Sequence, residues 1–236
     1  MSRRVKSRRR YESPRRREQA AATRQAILEA AELLFAKHGY VGTSVAEIAE
    51  EARVALKTVY AVFGTKAEVL RALWNLRMRG DEEPVPMAER PWFREIVGEP
   101  DPRRRLALVA RNVRVVRERT AHVTEIVRQT APADEQIAAL WERFQREFYE
   151  LGVRGIVETL DRDGVLAADT TTAADIGWTL THPDVYQLLV HQRGWSPDDY
   201  ERWLAETLPG QLIKDRDTGA RRPRSRARNR RPENSK

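Results

Sequence analysis

Residues 43–70 read TSVAEIAEEARVALKTVYAVFGTKAEVL, and this stretch limits the fold more than any other in the chain. Ser44 and Glu47 have the spacing of a capping box, in which the serine hydroxyl takes an amide proton and the carboxylate returns the favour. Val45, Ile48 and Ala49 then give a helix of about two turns one apolar face. Arg53 and Val54 interrupt it. A second short helix is expected from Ala55 to Val62, with Val59 and Phe63 turned inward. Gly64-Thr65 breaks that helix in turn, and Thr65 is placed to cap a third that starts at Lys66. Two short helices joined by a turn of three or four residues are the helix-turn-helix unit, whose second helix lies in a major groove of DNA.

Upstream, residues 18–38 are a helix candidate. Ile27, Leu28, Ala31, Leu34 and Phe35 make one stripe at helical spacing, alanines fill the remainder, and Gly39 stands where a helix ends. Taken together, the helix, Gly39-Tyr40, TSVAEIAEEA, the turn, KTVY and FGTKAEVL resemble the DNA-binding domain of TetR-family (tetracycline-repressor-like) transcriptional regulators. The resemblance covers about residues 24–73. It departs from the family pattern at the turn, where Arg53 replaces the usual glycine and Ala55 the usual serine cap. Each change costs roughly 1 kcal/mol.

Position by position, the resemblance implies a DNA-contacting set. Thr43 and Tyr60 contact phosphates through their hydroxyls, with Ser44 beside them. Lys66 contacts a phosphate at a helix start, where the helix dipole favours an anion. Ala55, Leu56, Lys57, Thr58 and Ala61 are the positions that see base edges. Lys57 can donate to guanine O6 and N7, Thr58 to a base or a phosphate, and Leu56 can touch a thymine methyl. Arg53 adds a cation near the phosphate path.

The charge distribution sharpens this. The net charge is +8, yet nine basic residues and one acid fall in residues 1–17, and ten basic residues and three acids in residues 214–236, so the chain between them is acidic. Segments of that composition bury too little apolar surface to offset ordering entropy, so two disordered basic arms are expected, suited to a polyanion. The chain has no cysteine, which removes disulfides and thiolate chemistry. No apolar run is long enough for a membrane span, and no secretory signal is evident. The four histidines lack metal spacing, and no phosphate loop or nucleophile elbow is present, so neither catalysis, nor a metal, nor a cofactor is expected.

Residues 72–213 carry helical patterns and no strand pattern. The expected fold is therefore all-α: a helix-turn-helix domain at 18–71, a helical domain at 72–213, and arms at 1–17 and 214–236. Within the second domain a short helix is expected at 87–97. Asp101-Pro102 starts another helix running to about 129, and Asp134 starts one reaching about 160. The resemblance implies that residues 169–192 and 197–213 dimerise, with Ile176, Leu180, Tyr186, Leu189, Val190, Tyr200, Trp203 and Leu204 as candidate contacts. It also implies a small-molecule pocket between the 101–129 and 134–160 helices. Trp92, Phe93, Trp141, Phe144, Phe148 and Trp178 would form its aromatic wall, and Asn112 and Thr124 would serve as polar contacts. The resulting expectation is a cytoplasmic, nucleoid-associated regulator. It would bind palindromic double-stranded DNA as a homodimer, most often as a repressor, and an apolar or aromatic effector would release it. The alternative is an accessory or architectural DNA binder driven by the arginine-rich arms, with no effector.

Overall fold

The computed structural model describes residues 14–81, 85–86 and 89–214, so most of both basic arms lies outside the described residues. The all-α expectation holds. Among the described residues the exception is one antiparallel bridge between Leu166 and Ile213, flanked by Ala167 N–H donating to Leu212 O (3.0 Å) and Lys214 N–H to Val165 O (2.9 Å).

The first helix, α1, spans Pro14–His38. It begins four residues before the expected start, so the assignment of residues 14–17 to the arm is corrected. Proline suits a first helical turn, where its missing N–H costs nothing, and the arginines after it are good helix formers. Gly39, at φ 72°, turns the chain away. Three short elements follow: α2 (Val45–Glu51), α3 (Leu56–Phe63) and α4 (Lys66–Arg79). Helix α4 runs unbroken through the boundary expected at residue 71.

The second half contains α5 (Pro91–Gly98) and α6 (Pro102–Thr130), the latter a single 29-residue helix capped by Asp101. Residues 87 and 88, at the start expected for α5, lie outside the described residues; the helix spans Pro91–Gly98, its proline pre-setting the first turn. Helices α7 (Glu135–Glu147) and α8 (Arg154–Arg162) are joined without a break by a π-helical segment, Phe148–Val153. Then come α9 (Thr170–Thr181), α10 (Pro183–Tyr186) with a π-helical extension Gln187–Gln192, and α11 (Pro197–Leu212). The break between α9 and α10 falls at His182-Pro183, as that pair's capping pattern leads one to expect. His182 sits at φ −59°, ψ 143°, outside helical space, because the proline that follows it disfavours the helical region.

Two cores result. One joins Ile27, Leu28, Phe35, Ile48, Val59 and Leu70 of the first four helices to Val123 and Val127 of α6 and Ile137 and Phe144 of α7. The other gathers α5, the first half of α6, α8, α9 and α11 around Leu106, Leu160, Tyr200 and Leu208. The first core thus crosses from one expected domain into the next. The contact is specific as well as apolar. Trp74 of α4 stacks on Phe144 of α7 with ring centres 4.2 Å apart and planes within 13°. Tyr186, Tyr200 and Leu204, expected at a dimer surface, are instead buried inside the protomer.

Candidate nucleic-acid interface and ligand cavity

The helix-turn-helix is built by local hydrogen bonds. Glu47 N–H donates to Ser44 Oγ (3.2 Å) and Ser44 N–H to Glu47 Oε2 (2.7 Å), completing the capping box. Those bonds hold the Glu47 carboxyl below its ordinary range. The exposed Ser44 hydroxyl accepts from Glu47 N–H in this pairing. At the other end of α2, Val54 N–H bonds Ala49 O (2.9 Å) and Arg53 N–H bonds Glu50 O (3.0 Å), the paired closure of a Schellman turn. That motif requires a left-handed residue, and Arg53 supplies it at φ 55°, among the described residues the one non-glycine with positive φ. Without the family's glycine, the turn keeps its shape at the expense of strain. Val54, tucked into the first core, holds it there.

Helix α3 is poised outward. Ala55 occupies its N-cap with extended backbone and no side-chain cap bond. Val59 alone is fully buried, and Arg24 of α1 lies over the Phe63 ring at 4.6 Å. Ala55, Leu56, Lys57, Tyr60 and Ala61 are exposed, with Leu56 at 43% and Tyr60 at 51% of full accessibility, and Thr58 is half-buried. The exposed Arg53 stands at the start of the same surface. A leucine and a tyrosine in water beside two cations are costly on a solvated face and suited to a groove.

Two expected contact residues are placed differently. Thr43 is buried, and its hydroxyl donates to Gly39 O (2.8 Å) and Leu34 O (3.2 Å). Lys66 folds inward: Nζ donates to Tyr40 O and Thr43 O, both at 2.8 Å, and lies 4.2 Å from the Tyr40 ring centre. Burial lowers the pKa of Lys66, against the pull of Asp134 and Glu47. Side-chain phosphate contacts from Thr43 and Lys66 are corrected to an internal role. Together they clamp the loop between α1 and α2, which fixes where Ser44 stands.

A cavity of about 560 Å³ lies in the second half of the molecule. Trp92, Phe93, Asn112, Phe144 and Phe148 line it as expected. Trp141, Trp178 and Thr124 do not. The Trp141 and Trp178 rings pack edge-on against His182, and Thr124 is buried with its hydroxyl unpaired. The cavity is also bounded by α4, through Trp74, Asn75 and Met78, and by α11, through Leu208 and Leu212. Arg117 was missed as well. Its sequence signal is a cation four residues after Val113, in register with the apolar stripe of α6.

With that geometry in view, the comparisons with known proteins are specific. Residues 27–73 match the family described as bacterial regulatory proteins, tetR family. The likeness to the TetR family lies in this amino-terminal segment. Within it, the chain is 46% identical over 59 residues to the HTH-type transcriptional regulator TtgR of Pseudomonas putida, a match covering 25% of this chain and 28% of that protein. The chain thus matches well under a third of its curated relative's length. The likeness in fold extends further than the sequence match. NalD, the secondary repressor of the MexAB-OprM multidrug efflux pump in Pseudomonas aeruginosa, superposes with a TM-score of 0.65 at 24% identity, over 83% of this chain and 99% of that one. The transcriptional regulator FadR from Bacillus subtilis in complex with stearoyl-CoA gives 0.61 at 18% identity, over 78% and 96%.

Proposed function

We propose that the chain is a sequence-specific DNA-binding transcriptional regulator, a repressor that binds a palindromic operator as a homodimer and leaves it when a small apolar or aromatic effector binds. One observation carries this reading. Helix α4 starts against the helix-turn-helix, where Lys66 clamps the α1–α2 loop, and ends as a wall of the cavity, where Trp74, Asn75 and Met78 stand. A rigid helix of 14 residues joins the two sites. A cavity that fills or empties must move that helix or resist its movement, and a recognition helix is positioned by the same helix.

The DNA face on this reading comprises Ser44, Arg53, Ala55, Leu56, Lys57, Thr58 and Tyr60. Lys57 reads a guanine edge, Leu56 meets a thymine methyl, and Ser44, Arg53 and Tyr60 hold the phosphate backbone. Thr43 and Lys66 support the face from within. One such helix covers only a few base pairs, so a second copy related by two-fold symmetry supplies the other half-site. The effector site is the cavity, whose size falls within the usual range for small-molecule pockets. That NalD is a repressor and FadR holds an acyl-CoA in the same fold supports both halves of the reading.

Effector and operator then oppose each other through differential binding, each weakening the other by the same factor, about 5–150-fold in typical cases. The test is a panel of small metabolites scored by tryptophan quenching, since Trp74 and Trp92 line the cavity. Compounds that quench are expected to weaken operator binding by a factor in that range. A panel in which the quenching compounds leave operator affinity unchanged would sink the proposal.

A further inference from the structure

The cavity carries an unspent positive charge. Arg117, 2% exposed, is on its wall. Nε and Nη2 donate to Thr181 O at 3.0 and 2.7 Å, and the guanidinium lies 4.4 Å from the centre of the Phe148 ring. Two of its five N–H groups are thereby used. Both on Nη1 and the second on Nη2 have no acceptor among the described residues, and no carboxylate among them comes within ion-pairing distance. Asp184 and Tyr200 act on it only from further off. Burial pulls its pKa down to about 10, which still leaves it charged at neutral pH.

The other charged groups on the wall are differently placed. Arg90 is bonded through two nitrogens to Asp81, at 2.8 and 3.0 Å. Glu147, the carboxylate on the lining, is held by Arg143 at 2.7 Å. Arg79 is exposed. Everything else that dominates the wall is aromatic or aliphatic: Trp74, Trp92, Phe93, Phe144, Phe148 and the valines of α6. Proteins rarely retain a buried cation without a counter-charge, because its desolvation is then uncompensated. A guanidinium with free N–H groups on the wall of an apolar chamber can receive a carboxylate or a similar planar oxyanion.

We infer that the ligand of this cavity is an amphipathic organic anion, whose acid group bonds the free edge of Arg117 while its apolar body lies against the aromatic wall. This rests on the reading of the cavity as an effector site and narrows it from an apolar or aromatic molecule to an acid. A neutral molecule of the same shape leaves the guanidinium unpaired and binds less well. A cationic one is repelled.

Matched pairs of probes test this: decanoate against decanamide and 2-naphthoate against 2-naphthamide, titrated calorimetrically into the full-length protein. At least one acid is expected to bind about tenfold or more tightly than its amide, as a charge-assisted bond replaces a neutral one. Arg117→Met is expected to erase that preference by weakening the acid while leaving the amide within about twofold, since the apolar contacts remain. The wild-type comparison decides the matter even where R117M fails to fold. Equal binding of acid and amide overturns the anion assignment and leaves the cavity's effector role standing. Binding by none of the four compounds overturns both.

Discussion

Ala55 stands at the N-cap of α3 with the extended backbone a cap needs, φ −69° and ψ 142°, and no side-chain oxygen to use it. Ala55→Ser supplies that oxygen to an otherwise uncapped amide and is expected to raise stability by about 1 kcal/mol, read as a higher midpoint in urea with an unchanged slope. Lys66 makes the opposite case. Its two bonds to Tyr40 O and Thr43 O are charge-assisted, so Lys66→Met is expected to cost about 2 kcal/mol of stability. If its ammonium faced a phosphate, the slope of log affinity against log salt would also fall by about one. An internal clamp leaves that slope unchanged. Ser44 and Glu47 were legible in the sequence because their partnership is local, closed within one turn. Thr43 and Lys66 were not, because Lys66 bonds a carbonyl 26 residues away and the direction in which a side chain folds over a loop is set by tertiary packing.

Between helices, the informative residue is His182. It ends α9 and caps α10, accepting from Asp184 N–H on Nδ1 (3.2 Å), so that Nε2 carries the proton and donates to Gln145 Oε1. Trp178 and Trp141 close over the ring, the nearer at 4.7 Å. Burial lowers its pKa, Asp184 opposes that shift and Arg117 adds to it. The unfolded chain, with an ordinary histidine near 6.5, takes up the proton first on acidification. Stability from this group is therefore full above about pH 6.5 and is lost as pH falls below it toward the folded pKa. The thermal midpoint should drop between pH 7.5 and 5.5 more steeply in the wild-type protein than in His182→Asn, and equal slopes would remove the histidine from the account. The helix break was legible in His182-Pro183, where a capping side chain is followed by a proline at the first helical position. The π-helical Phe148–Val153 leaves no comparable mark in composition; it resets the face of α8 without interrupting it.

At the scale of the molecule, the helical class and the helix-turn-helix were legible because both rest on short-range periodicity and capping. The partition into domains was less so. The first core draws in Val123, Val127, Ile137 and Phe144, more than forty residues beyond α4, and no periodic pattern reports which helix a stripe will meet. For the same reason the cavity kept five of its eight expected residues and gained α11 as a wall. The expected dimer contacts divide likewise. Tyr186, Tyr200 and Leu204 serve the protomer's interior, whereas Ile176, Leu180, Leu189, Val190 and Trp203 are only partly buried. On the proposed function, one lysine to read a guanine and an uncapped α3 give each half-site modest readout, so two copies acting together would supply the affinity. The account is tested most directly by fluorescence anisotropy of the full-length protein on a palindromic duplex. The duplex would be drawn from DNA flanking the chain's gene and compared at about 150 mM salt with a scrambled duplex of equal length. A preference of about a thousandfold or more is predicted, at two protomers per duplex, with Lys57→Ala narrowing it by roughly tenfold or more. Equal affinity for the two duplexes would contradict the central claim that α3 reads DNA sequence.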